Sequence, residues 1–330
     1  MGKCAISLAT VSSGMLPVAR GDVLGKIAAD VHHSLAWRAR TGAPGRAVGT
    51  PVAAGEGWSV SDVICTSGPS DRPFEEQHTG VSIAVVVAGS FQYRSPRGVS
   101  MLTPGSLLLG NHEECFECGH EHAAGDRCIA FHYAPALFER IAADAGVRRG
   151  ERRFGRAYLP PLRALSPFAT RAAAAIAVPL DVSWEELSIE MAGAAVLLTA
   201  GASPSRTAAP AAAVARVTRT VRRIEREPGA RWTLAQLAAD ARQSPFHYLR
   251  TFQQFVGVTP HQFILRARLR AAAVQLLADD AKVIEVALGA GFGDVSNFNA
   301  AFRSEFGVSP RAYRARRGLT HAPAARHNLP

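Results

Sequence analysis

The sequence predicts an α+β chain of two domains, a β-rich N-terminal domain with flanking helices and an all-α C-terminal domain made of a tandem repeat. Three observations carry that prediction. Short β-type runs punctuated by Gly and Pro fill the stretch from Val52 to Tyr133. Gly201 to Ala213 reads GASPSRTAAPAAA, which has little that could build a core and marks a linker. Beyond it, Phe252, Gly257, Val258 and Pro260 recur as Phe302, Gly307, Val308 and Pro310, fifty residues on.

The chain is expected to divide into a disordered arm (1–51), a β-rich domain (52–200), the linker (201–213), a helical domain (214–317) and a disordered tail (318–330). With 330 residues, 48% of them hydrophobic, it can bury a substantial core. The net charge is +10, yet Ala211 to Thr320 alone holds 17 Lys plus Arg against 8 Asp plus Glu. The remainder is nearly balanced, so the positive excess belongs to the helical domain, and most of it is arginine. Arginine suits bidentate contacts to phosphate and guanine, which favours a nucleic-acid partner. Five cysteines, unevenly spaced, do not make the disulfide framework of a small secreted protein. No run approaches the ~18 apolar residues of a membrane span, and Ala5 to Met15 is too broken by Ser, Thr and Gly for a signal sequence. The expected setting is the cytoplasm.

In the β-rich region the runs Ser59–Thr66, Val81–Ala88, Ser90–Tyr93, Ser106–Leu109 and Arg127–Tyr133 predict a small barrel or sandwich. In the last run Cys128, Ala130 and His132 point one way, and Ile129, Phe131 and Tyr133 the other. Helical patterns follow at Pro135–Ala145 and Trp184–Thr199, the latter with Ser183 as cap and Glu185 and Glu186 in its first turn. These two apolar helices either cover one end of a barrel or form a dimer interface.

The repeat reads as two helix-turn-helix units. Leu234, Leu237, Ala238 and Ala241 follow the i, i+3, i+4, i+7 spacing of one buried helix face, and Val283, Val286, Ala287 and Ala290 match them forty-nine residues on. The change of offset places one extra residue in the second turn. Ser244 caps a second helix with Pro245 at its first position, and Asp294 caps the equivalent helix of the second unit. Tyr248 and Phe252, and Phe298 and Phe302, face inward. The outer faces then carry Phe246, His247, Leu249, Arg250 and Gln253 in the first unit, and Val295, Ser296, Asn297, Asn299, Ala300 and Arg303 in the second. Arg can bridge guanine O6 and N7, Asn can bridge adenine N6 and N7, and apolar edges meet thymine methyls. A continuous helical pattern from Pro260 to Ala278, capped by Thr259, joins the units and is long enough to set them about one DNA turn apart.

These residues, with Val286-Ala287, Gly291-Phe292, Phe306-Gly307-Val308-Ser309-Pro310 and Tyr313-Arg314, resemble the AraC/XylS family of bacterial transcription factors over about one hundred residues. The resemblance implies promoter DNA and RNA polymerase as partners. It also implies base-facing roles for Phe246, Leu249 and Arg250 in the first unit, and for Ser296, Asn297 and Ala300 in the second. Arg242 stands where a turn glycine is usual and Ala300 where a longer reader is usual. The first unit is therefore expected to supply most of the discrimination. The β-rich region, around Thr103-Pro104-Gly105-Ser106-Leu107-Leu108-Leu109, resembles the cupin-like sensor domain of that family. This second resemblance implies that the domain binds an effector or mediates homodimer formation, and it carries over no catalytic residues.

One cluster needs its own chemistry. Cys115, Cys118, His120, His122 and Cys128 lie within fourteen residues and offer the thiolate and imidazole ligands of Zn2+ or another thiophilic metal. The same residues fit inert burial or a redox thiol switch, and nearby Arg127 is compatible with the latter. Cys4 and Cys65 stand isolated, and His78, His112 and His132 have the sequence setting of structural histidines near a pocket. The leading expectation is a DNA-binding regulator, not an enzyme, that responds to a small molecule or metal. The alternative is a cupin-type metalloenzyme fused to a DNA-binding module.

Overall fold

The computed structural model describes residues 23–177, 182–200 and 211–315. Residues 1–22 of the expected arm, 201–210 of the linker and the tail lie outside the described residues.

The N-terminal domain is two antiparallel sheets with helices. One sheet has six strands in the order β1-β2-β9-β4-β7-β10: β1 (Ala47–Gly55), β2 (Trp58–Cys65), β4 (Val81–Gly89), β7 (Leu107–Gly110), β9 (Asp126–Tyr133) and β10 (Tyr158–Leu159). The other has the order β3-β8-β5-β6, from β3 (Phe74–Gln77), β5 (Phe91–Ser95), β6 (Gly98–Leu102) and β8 (Cys115–Gly119). The sheets face each other across a small apolar layer in which Val86, Leu108, Cys128 and Ala130 meet Phe91, Tyr93 and Leu102. The opposite face of the larger sheet, with Ile83, Val85, Ile129, Phe131 and Tyr133, is covered by α2 (Pro135–Asp144) and α4 (Trp184–Thr199) through Phe138, Ile141, Leu187, Met191 and Val196. The alternation read from Arg127–Tyr133 thus divides two cores, as the two-residue period of a strand requires. Of the two roles foreseen for the apolar helices, covering the sheet is the one seen within the chain. Ser183 accepts from the Glu186 amide, so α4 starts where its cap placed it.

Three stretches differ from the expectation. Residues 23–51 are not an unstructured arm, since α1 (Val23–Thr41) leads into β1. Ile27 and Val31 are buried one turn apart, and Asp30 pairs with Arg127 at 2.8 Å. That narrow stripe of apolar residues is easily lost among Gly, Lys and His, and β1 is masked by Pro51, where the pairing with β2 shifts register. Half of α3 (Ser166–Ala177) is alanine, so it has helix propensity with little polar contrast to reveal a face. α5 (Ala211–Arg226) starts inside the expected linker, and Ala213 is buried.

The C-terminal domain follows the repeat closely. α6 (Leu234–Asp240) and α7 (Pro245–Val256) form the first helix-turn-helix, α9 (Val283–Gly289) and α10 (Val295–Phe306) the second, and α8 (Pro260–Ala278) joins them, with α11 (Pro310–Ala315) closing the end. Corresponding helices have equal lengths, and the second turn is one residue longer, as the change of offset required. Thr233 and Thr259 form capping boxes with Gln236 and Gln262. The first core gathers Leu237, Ala238, Tyr248 and Phe252, and the second Val286, Ala287, Phe298 and Phe302.

This domain packs on the first. Ala174 of α3 joins the second core and Met101 of β6 the first. Ser166 donates to Glu305 of α10, which also pairs with Arg266 of α8 at 3.4 Å. No described helix is long and apolar enough to cross a membrane.

The two turns use the same backbone with different residues. Arg242 has φ +53° and Gly291 φ +83°, and each amide donates back into its first helix, to Ala239 and Leu288 respectively. A Cβ on Gly291 would come within 2.4 Å of the Gly229 carbonyl oxygen. Gly291→Ala should therefore cost more than ~2 kcal/mol, the left-handed penalty plus a backbone clash. Arg242→Gly should stabilise by about 0.5–1 kcal/mol, because relief of the left-handed strain exceeds the added unfolded-chain entropy. Urea unfolding of both variants checks the pair, and equal effects would contradict the assignment of strain.

Candidate functional site

The first candidate surface is the pair of second helices. In α7 the Ser244 hydroxyl accepts from the His247 amide at 3.3 Å, and burial of Tyr248 and Phe252 fixes the helix rotation. Phe246, His247, Arg250 and Gln253 are left exposed, and Leu249 half-buried. Phe246 is 68% exposed, which is unusual for a phenylalanine in an otherwise well-packed helix. The Arg250 guanidinium lies 5.8 Å from its ring centroid, a cation–π contact that holds the pair together at the surface.

In α10 the Asp294 carboxylate accepts from both the Asn297 amide, at 2.7 Å, and the Asn297 side chain, at 2.6 Å. Asn297 is exposed but already engaged, whereas Ser296, Asn299, Ala300 and Arg303 are exposed and Val295 is half-buried. Beside this helix runs a groove of about 730 Å³ lined by Lys282, Asn299, Arg303, Arg311 and Arg314. Sequence reading took Arg314 only as part of the family signature and missed the groove. Its signal was present as basic residues at the entrances to α9 and α11.

The second candidate is the cysteine cluster, which the structure rearranges. Cys115 to Gly119 is strand β8, so Cys115 and Cys118, three residues apart, face opposite sides. Cys115 is exposed, and Cys118 packs beside the inter-sheet layer. The two do not close on one ion as a turned Cys-x2-Cys pair would. His122 is half-buried, 3.9 Å from Glu121. His120, by contrast, is buried and meets Asp126 at 2.5 Å, and Cys65 lies alongside, paired across the β2–β9 ladder with Asp126. The ligand atoms of Cys65, His120 and Asp126 all lie within 4.8 Å of one another. Cys128 is also buried there, its thiol 3.4 Å from Asp126 Oδ1. Of the five nominated residues, therefore, His120 belongs to the group, Cys128 and Cys118 border it, and Cys115 and His122 do not enter it.

Burial disfavours the thiolate form at two of these cysteines. Burial, then the Asp126 charge, pushes the Cys118 and Cys128 thiols well above their ordinary range. Burial works against charging His120, but the Asp126 carboxylate and the Cys65 thiol carry it up to about 10. Arg127 projects to the other face, held by Asp62 at 2.7 Å and Asp30, and does not activate a thiol. His78 is a structural histidine. Burial, then His132, pushes it down to about 4, and it meets the Tyr93 hydroxyl at 2.9 Å and stacks on Phe116.

Comparison with known proteins bears on the first surface. Residues 237–316 match a helix-turn-helix domain family. The regulator MtrA of Neisseria gonorrhoeae is 33% identical over 98 residues, covering 30% of this chain and 33% of that protein. The transcriptional activator NphR of a Rhodococcus species is 44% identical over 85 residues, 25% of this chain and 24% of that protein. The C-terminal domain is an AraC-type helix-turn-helix domain. The chain spans about a third or less of the length of the curated relatives it matches. Among solved structures, the DNA-binding domain of AdpA in complex with a target DNA is 30% identical, covering 30% of this chain and 90% of that one, with a TM-score of 0.30.

The AraC-type domain does not spend all its arginine on the outer surface. Arg268 donates to the carbonyls of Pro228 and Ala230, and Arg270 pairs with Glu225 at 2.7 Å. Arg222 of α5 reaches the other domain, donating to the carbonyls of Ala124 at 2.8 Å and Gly125 at 2.9 Å. Those carbonyls belong to the loop between His120 and Asp126, so the two candidate sites are neighbours. Alkylation of native protein followed by peptide mapping should modify Cys115 rapidly and leave Cys65 and Cys128 protected until denaturation. Equal rates at Cys115 and Cys128 would contradict the assignment of faces.

Proposed function

We propose that the protein is a sequence-specific transcription regulator that binds double-stranded promoter DNA in the cytoplasm and responds to a small-molecule or metal signal through its N-terminal domain. The observation that carries this reading is the pair of exposed second-helix faces, Phe246 to Gln253 and Ser296 to Arg303, mounted on the two ends of α8. A helix of 19 residues spans about 28 Å, close to the ~34 Å between successive major grooves on one side of the duplex. Lys282, Arg303 and Arg311 would take phosphates beside the second reading helix, while Arg250 and Phe246 read base edges in the first.

The two facing antiparallel sheets support a cupin-like sensor. An outward stripe on α4, Ile189 and Leu197 either side of Gly193, together with Leu198, supports a homodimer. RNA polymerase is the partner through which such a regulator would act. The protein is proposed as a non-enzyme, because the buried thiol-bordered cluster differs from the open carboxylate and histidine site of an oxygen-activating metalloenzyme.

Selection of bound duplexes from a random pool, or mapping of bound sites across the genome, tests the proposal directly. Arg250→Ala should weaken specific binding by about 1–3 kcal/mol and relax preference at one base position. Equal losses on selected and random duplexes would remove its base-reading role. Affinity should also fall steeply with salt through counterion release.

A further inference from the structure

We propose that Cys65, His120 and Asp126 form a binding site for a thiophilic divalent cation of the Zn2+ class, in a loop clasped by the AraC-type domain. This deepens the sensing half of the proposed function, but binding of the ion does not depend on DNA being the partner.

Four observations converge on it. One thiol, one imidazole and one carboxylate place ligand atoms within 4.8 Å of one another, the only such group among the described residues. All three residues are buried, so an ion held between them would be shielded from water, where its attraction to the Asp126 carboxylate is strongest. His120 Nε2 faces Asp126, while Nδ1 is buried with no hydrogen-bond partner, although native interiors pair nearly all such atoms. The Cys128 thiol borders the group, 3.4 Å from Asp126 Oδ1, and tetrahedral Zn2+ takes a mixed set of sulfur, nitrogen and oxygen ligands, with three from the protein leaving one position open.

The elements explain why these residues meet. β2 ends on Cys65 as β9 begins on Asp126, and the ladder sets them opposite each other. His120 directly follows β8, and Cys128 lies two residues along β9 from Asp126, on the same face. Two ligands therefore sit on strand ends and one on the loop that returns between sheets. That loop is the one whose Ala124 and Gly125 carbonyls accept from Arg222 of α5. Ion binding and docking of α5 share one segment, and linkage makes any coupling between them reciprocal. Arg222 is thus a positioning residue for the ion, acting through the loop.

The test uses the full chain, stripped with a chelator and titrated with Zn2+ and with Co2+. The expected result is one equivalent per chain and a thiolate-to-Co2+ charge-transfer band, a readout from the wild type that needs no variant. Cys65→Ser and His120→Gln should each weaken Zn2+ binding roughly tenfold or more. Cys115→Ser and His122→Gln should leave it unchanged. Absence of stoichiometric uptake, a Co2+ spectrum without thiolate character, or binding lost in the Cys115 and His122 variants but kept in the Cys65 variant would overturn the site. Arg222→Ala should shift Zn2+ affinity several-fold with the Co2+ spectrum intact, and unchanged affinity would overturn the coupling. Loss of specific DNA binding by the wild type would bear on the regulator reading alone, because every readout here is of the metal.

Discussion

The double membership of α8 is the constraint on which the C-terminal half depends. Its first turns give Phe263, Ile264 and Ala267 to the core of one helix-turn-helix unit, and its later turns give Leu269, Ala272, Leu276 and Leu277 to the core of the other. Such a helix has no free face to rotate on, so α7 and α10 are held at a fixed separation and angle. Arg268 strengthens the arrangement by tying α8 to the Pro228–Ala230 connection, where Gly229 approaches the Gly291 turn. The N-terminal domain grips both units as well, through Met101 at the first core and Ala174 and Ser166 at the second. A change in its surface at β6 or α3 would therefore bear on the pair together.

The C-terminal domain was legible because its information is local. Ser244, Pro245, Asp294 and Thr259 act within one turn of where they stand, and the apolar spacing of Leu237 and Ala238 needs no distant partner to be recognised. The β-rich domain was legible where a strand carries a clear apolar or alternating run, as in Val81–Gly89 and Asp126–Tyr133, and also in β2, β5 and β7. β8 reads CFECG, with no alternation strong enough to separate it from a loop. It exists because β3 and β5 pair on either side of it, and contacts of that kind leave little trace in the segment itself.

The same distinction explains the cluster. Nearness in sequence suggested Cys115 and Cys118 together, but a strand sends residues three apart to opposite faces, which exposes one and turns the other inward. Register, in contrast, brings Cys65 to Asp126 across sixty residues of intervening chain. Cys65, isolated in the sequence, joins the buried group for that reason, and Asp126, to which no role was given, is its ladder partner.

The two helix-turn-helix units are unequal in a way that follows from their caps. The Ser244 hydroxyl accepts from a backbone amide and engages no outer side chain of α7, and Phe246 and Arg250 stand at the surface in contact with each other. The Asp294 carboxylate has a second oxygen, and it takes the Asn297 side chain with it. A side-chain amide already donating to a carboxylate is a poorer partner for adenine, and Ala300 offers only a methyl group. What the second unit retains is charge, in Lys282, Arg303 and Arg311 around the groove beside α10. On the proposed function, phosphate contacts fix register and base contacts carry sequence. The second unit would then hold the duplex in place while the first reads it, with α8 keeping the spacing between them.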